Sequence, residues 1–141
     1  MTGSPAVLPP EAEAVIERAR RLTRDEIVRL DLAERRTGDV ALTAWDLLRD
    51  RMSEPRTRAL RFEARNRAWA AVAESLEDLD LRPTPDDGYW RVVTWIGSGA
   101  ARAARYAACA LVAPGLLDPE IAEILLRTWT SVIGGPDGAR D

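Results

Sequence analysis

The chain has 141 residues, a formal net charge of −3 and a hydrophobic fraction of 46%, which fits one domain around a single core and gives no global attraction to nucleic acid or to an anionic membrane. It contains no histidine and one cysteine. The first absence removes the usual general base near neutral pH, the Ser/His and Cys/His nucleophile pairs and the commonest zinc ligand, and a lone cysteine forms no internal disulfide, so a reducing cytoplasm is the expected location.

Residues 1–8 read as a flexible tail. Their sequence has no basic n-region and no long apolar h-region, so no secretion signal is expected. Pro9-Pro10 then suits the first turn of a helix. Val15, Ile16, Ala19 and Leu22 recur at helical spacing, with Glu11 and Glu13 at the start and Arg18, Arg20 and Arg21 near the end, in the order the helix dipole favours. Thr23 and Glu26 stand at capping-box spacing. Ile27, Val28, Leu30 and Leu32 predict a short helix that Thr37-Gly38-Asp39 stops. Asp39 caps the next, in which Leu42, Trp45, Leu48 and Met52 share a face.

Ser53 as cap and Pro55 in the first turn start a helix that runs to about Leu79. Phe62, Trp69, Val72, Leu76 and Leu79 form its apolar stripe, and Leu60, Ala64, Ala68 and Ala71 line much of the opposite side, so both sides are expected to be packed. Prolines, aspartates and a glycine from Arg82 to Gly88 mark a loop, and Asp86 or Asp87 is the candidate cap for the helix that follows. That helix, at about 89–113, is rich in alanine and glycine and apolar over more than half its girth, which places it at the centre of the bundle with neighbours close on several sides. After Pro114-Gly115, Asp118-Pro119-Glu120 starts a last helix with Ile121, Ile124, Leu125, Thr128, Trp129 and Val132 inward. Residues 134–141 read as a second tail, leaving 9–133 as one helical domain. The expected fold is all-α, a compact bundle of five to six helices.

No apolar run reaches the ~20 residues of a membrane span, since Arg91, Arg102 and Arg105 interrupt the one candidate. Gly97-Ser98-Gly99 followed by Arg102 has the look of a phosphate-cradling loop, but no second segment reads as a strand for the parallel sheet such a loop requires, so close helix packing or a kink explains the glycines better. The acid pairs Glu74/Glu77, Glu120/Glu123 and Asp46/Asp50 could share a divalent cation one turn apart, yet the first two lie opposite their helices' apolar stripes and the third has no third ligand. No metal and no cofactor is expected. The Arg-rich turn after Ser53-Glu54-Pro55 suits a recognition helix, but the helix is too long and the chain acidic.

Two arginine sets remain. Arg58, Arg61 and Arg65 project in line with Trp69 and Val72, where a guanidinium needs a carboxylate, an anion or a partner. Arg91, Trp95, Arg102, Arg105 and Tyr106 form the polar side of the central helix and are residue types enriched at binding hot spots. The leading expectation is therefore a non-enzymatic protein-protein interaction or adaptor module that self-associates through the Arg/Trp/Tyr face. The alternative is a small helical ligand-binding protein or enzyme acting on an anionic small molecule held by Arg58, Arg61 and Arg65. DNA binding ranks third.

Overall fold

The computed structural model describes residues 7–79 and 87–134, the side chains of residues 87–97 excepted. Among them are five α-helices and no strand: α1 (Pro10–Ala19), α2 (Arg24–Arg51), α3 (Pro55–Asp78), α4 (Asp87–Ala110) and α5 (Pro119–Ile133), with a 3-10 turn at Pro114–Leu116. The protein is an all-α bundle. Helix α4 packs against each of the other four, the central position its alanine-rich sequence predicts. None of the described helices is long and apolar enough to cross a membrane. The loop expected at 82–88 and its capping aspartates lie outside the described residues or side chains.

Local chemistry explains most of the boundaries. Pro9 holds an extended backbone before Pro10, and Glu11 and Glu13 occupy the first turn of α1, where negative charge meets the dipole's positive end. Leu8, read from the sequence as part of the tail, is buried in the core. At the α1–α2 corner the capping box forms: Glu26 N–H donates to Thr23 Oγ1 at 3.1 Å and Thr23 N–H to Glu26 Oε1 at 2.9 Å. Ser75 of α3 ties the same corner down, accepting from Leu22 N–H at 3.0 Å and donating to the Ala19 carbonyl at 2.6 Å. Both bonds are buried, so they satisfy backbone groups left over at a helix end.

Helix α2 departs from the expected break at Thr37-Gly38-Asp39 and runs unbroken for 28 residues. Its buried positions, Ile27, Leu30, Asp31, Glu34, Ala41, Ala44, Trp45 and Leu48, stay on one helical face if the half-buried Thr37 and Gly38 fill the interval. The stripe never changes phase, so packing carries the helix through weak formers. Thr37 Oγ1 bonds back to the carbonyls of Ala33 and Glu34 and shares a hydrogen bond with Thr128 Oγ1 of α5, each at 3.3 Å. A helical glycine costs about 1 kcal/mol against alanine, and nothing lies within 4 Å of a Cβ built at Gly38. That local cost is outweighed by the two flanking halves of the stripe.

In α3 the capping residue is Glu54 rather than Ser53: its carboxylate accepts from Thr57 N–H at 3.1 Å and from Thr57 Oγ1 at 3.0 Å. Of the two sides expected to be packed, the small-residue side is, but the aromatics of the other are not. Arg61, Ala64, Ala68, Ala71, Val72 and Ser75 are buried, whereas Phe62 is 39% and Trp69 50% exposed. Alanine faces the core because α4 brings its own alanines to the contact: Ala100, Ala103, Ala104, Ala107 and Ala108 are all buried. Small residues let the two axes close until Cys109 Sγ sits 3.6 Å from the Arg61 carbonyl. An aromatic stripe would have held them apart.

Helix α4 is continuous through Gly97-Ser98-Gly99, so the glycines form no nucleotide loop. A Cβ at Gly99 would lie 2.8 Å from the Asp31 Cα of α2, so this glycine is where two helix backbones cross. In α5, Leu125, Thr128 and Trp129 are buried as the spacing predicts. Asp118 takes the cap position without a capping bond and stands 3.8 Å from Arg51. Gly134, with φ 94, ends the helix.

Candidate functional site

Among the described residues, Tyr106 and Arg102 of the polar side of α4 are engaged inside the monomer. Tyr106 is buried, its ring 4.9 Å from that of Trp45 in α2. Arg102 donates from Nε to Glu34 Oε1 at 3.2 Å and from a terminal nitrogen to Ser98 Oγ at 3.0 Å. Arg105 lies with its guanidinium carbon 5.6 Å from the Trp45 ring centroid. Arg91 and Trp95, the other two members of the expected hot-spot face, lie outside the described side chains.

Glu34 and Asp31 were not singled out by the sequence, though both fall on the α2 stripe. Each is nearly inaccessible. Burial raises the Glu34 carboxyl above its ordinary value, opposed by the Arg102 guanidinium; burial likewise raises Asp31, opposed by Arg35 and Arg102. Arg35 Nε approaches Asp31 Oδ2 at 3.1 Å. Glu34 Oε2 and Asp31 Oδ1 lack hydrogen-bond partners. Together with Ser98 and Gly99 these groups form a polar seam between α2 and α4.

The arginines of α3 have a different setting. Arg61 is 4% exposed, with its guanidinium carbon 4.8 Å from the Phe62 ring centroid and 5.7 Å from that of Trp45. Arg65 stands 5.1 Å from the Phe62 centroid, and Arg58 is exposed. These are cation-π distances, and such contacts offset part of the cost of removing a guanidinium from water. No ion pair among the described residues involves Arg58, Arg61, Arg65 or Arg105. Burial lowers the Arg61 pKa, and the neighbouring charges of Arg65, Arg49 and Arg58 lower it further against the Cys109 sulfur. Arg105 is lowered by burial first, then by Arg65. The Nε groups of Arg61 and Arg105 are buried and lack partners.

Arg58, Phe62, Arg65 and Trp69 recur at intervals of four, three and four, so they stand in one row along α3. Beside the row an open cleft of about 380 Å³ is lined by Arg65, Asn66, Trp69 and Arg105. The anion candidates of the sequence reading thus lie close to one another and to one member of the other set, Arg105. The small-residue side at Ala64, Ala68 and Ala71 was legible in the sequence and is buried as expected; what the sequence did not show is that this side is buried in preference to Phe62 and Trp69, which are exposed.

The remaining candidates are surface features. Glu74 pairs with Arg20 at 3.1 Å, Asp46 with Arg49 at 3.1 Å and Glu123 with Arg127 at 3.5 Å, all largely exposed. No group of three or more Cys, Asp or Glu among the described residues could hold a metal ion. Burial pushes the Cys109 thiol up to about 12, which leaves it without the thiolate a nucleophile needs.

The chain matches no protein-family model, no curated protein and no solved structure. Its function has to be argued from the site itself.

Proposed function

We propose that this protein is a non-enzymatic interaction module that docks another chain along the outer row of α3. One observation carries the reading: Arg58, Phe62, Arg65 and Trp69 are presented together, their aromatics exposed and their cations without a carboxylate among the described residues. Tryptophan and arginine dominate binding hot spots because each joins a large contact area to directed polar groups. A row of unneutralised guanidiniums selects an acidic partner, by steering its approach and by penalising a basic one. Self-association through this row would set like charges against each other, so a second copy fits it less well than a different, acidic chain. The reading moves the hot spot from the α4 face, where Tyr106 and Arg102 are occupied by α2, to α3. With no histidine in the chain and Cys109 buried as a thiol, binding rather than catalysis is the role, and the cytoplasm is its compartment.

Site-specific photo-cross-linking tests it. A photoreactive residue at position 69 of the full chain in its host cell is expected to capture one defined protein, and Arg65→Glu to abolish capture. The same residue at position 123, on the outer side of α5, serves as control. Equal labelling from both positions, or capture indifferent to Arg65→Glu, removes the docking row.

A second reading has its own observation. The cleft volume falls at the lower end of the range for small-molecule sites, so an anionic metabolite could occupy it without any partner chain.

A further inference from the structure

We infer that the cleft between α3 and α4 is a subsite for a single oxyanion group, a carboxylate or a phosphate, with Arg65 and Arg105 as its two cationic jaws. This rests on the docking reading only for where the group comes from. Among the described residues, the walls of the cleft are a cation and an amide from one turn of α3, Arg65 and Asn66, an indole one turn further, Trp69, and a cation from the facing helix, Arg105. Each guanidinium offers a planar fork that matches two oxygens of a carboxylate or phosphate, and the Asn66 amide adds a donor. Trp69, half exposed, gives an apolar wall for whatever carries the anion.

Two features make this more than a basic surface patch. First, the positive charge is concentrated where it is least comfortable: Arg61 is buried and Arg105 half buried, and cations bear on both, Arg65, Arg49 and Arg58 on Arg61, and Arg65 and Arg102 on Arg105. Glu34 is near enough to feel Arg105 but is engaged by Arg102. An anion entering the cleft would supply a counter-charge that no carboxylate among the described residues gives Arg61 or Arg65 in an ion pair. Second, the arginines are already ordered. Arg105 and Arg61 are stacked at the Trp45 ring and Arg65 at the Phe62 ring, so little side-chain entropy remains to be lost on binding. Arg61 contributes its field rather than a contact, being absent from the lining.

The partner-borne and free forms of the ligand share this chemistry. In the first, a Glu, Asp or phosphorylated side chain of the docked segment seats in the cleft while its apolar neighbours cover Trp69 and Phe62. In the second, a free anion binds alone.

Nuclear magnetic resonance of the full-length 15N-labelled chain separates them. The probes are inorganic phosphate, N-acetylglutamate amide, and N-acetylglutamine amide as the uncharged control, each against sodium chloride at matched ionic strength. Binding is expected to shift the Nε–H signals of Arg65 and Arg105, the Asn66 side-chain amide and the Trp69 indole N–H saturably, with the glutamine probe silent. In Arg65→Gln and in Arg105→Gln affinity is expected to fall roughly tenfold or more, the loss of one charge-assisted contact, while backbone spectra away from the cleft stay in place. Using both variants guards against either one disturbing the fold. Shifts no larger than those with sodium chloride, or shifts that persist in both variants, overturn the subsite. A cross-linked partner at position 69 combined with silent oxyanion titrations defeats the subsite and leaves the docking row standing. Saturable oxyanion binding with no partner captured keeps the subsite and defeats the docking row.

Discussion

The α2–α4 seam and the outer row of α3 use the same residue type to opposite ends. At the seam Arg102 faces Glu34, a residue only 3% exposed, and the two lie 3.2 Å apart. On α3, Arg61 is as deeply buried as Glu34, and among the described residues it lies against the Trp45 and Phe62 rings with no ion-pair partner. A buried pair is close to neutral for stability, since the Coulomb gain roughly repays desolvation; an uncompensated buried charge is a net cost. Burial alone therefore does not say what an arginine is for. The counter-charge does.

The largest effect expected at the seam comes from Gly99→Ala. The new Cβ would stand 2.8 Å from the Asp31 Cα, and because backbone cannot rotate away, α2 and α4 must separate along their contact. Overpacking of this kind costs about 3 kcal/mol, more than the roughly 1 kcal/mol of helix propensity that alanine gains over glycine. Urea unfolding should show a clear net loss. An unchanged midpoint would mean that the crossing does not occur at Gly99.

Next in size is Arg102→Met, expected to cost about 2 kcal/mol at pH 7, since it strips the counter-charge from a buried carboxylate. The deficit should depend on pH in a definite direction. Burial raises the folded-state Glu34 carboxyl above the ordinary 4.5, so its contribution to stability is fully present below that value and is lost as pH rises through the raised one. Losing Arg102 raises the folded-state carboxyl further. Lowering the pH from 7 toward 4 should then narrow the gap between wild type and variant. At Glu26 burial pushes the carboxyl up but is outweighed by Thr23 and Arg18, which hold it low; it titrates alike in both proteins and cancels in the difference. A gap that stays constant or widens on acidification would show that Arg102 does not act through Glu34.

The seam and the row were unequally legible in the sequence. The all-α class, the central helix and the capping box at Thr23 follow from local chemistry, which operates within a turn or two. The continuity of α2 does not. Thr37-Gly38-Asp39 carries every local stop signal, and what overrides it is the phase of a stripe spanning residues 27–48, a property of the whole helix. On α3 the small-residue side was legible, but the sequence predicts packing of Phe62 and Trp69 as well: they outrank alanine in any hydrophobic scale, yet a helix lying against an alanine-rich neighbour buries its small residues first. The seam's acids were hidden because Asp31 and Glu34 read as ordinary surface charges until Gly99 brings α4 down on them. Arg58, Arg61 and Arg65 were visible as a set in the sequence, which does not say that no carboxylate among the described residues meets them.

The smallest effect expected is also the one that separates the two regions by sign. Arg61→Met keeps most of the side-chain volume and the packing on Trp45 and Phe62 while removing a buried cation that has no counter-ion among the described residues. The cation-π attraction that disappears with the guanidinium is worth about 1 kcal/mol, and the desolvation relieved is larger, so a gain of about 1 kcal/mol in unfolding free energy is expected. The same arginine-to-methionine change would then weaken the protein at position 102 and strengthen it at position 61. Raising salt should stabilise wild type more than the variant, because like charges at Arg58, Arg61 and Arg65 repel at helical spacing. A loss at position 61 as large as that at 102 would show that Arg61 is a structural residue with a partner, and the case for α3 as a binding face would weaken with it. A gain would mean that the fold carries this cation at the expense of its own stability, as functional sites commonly do.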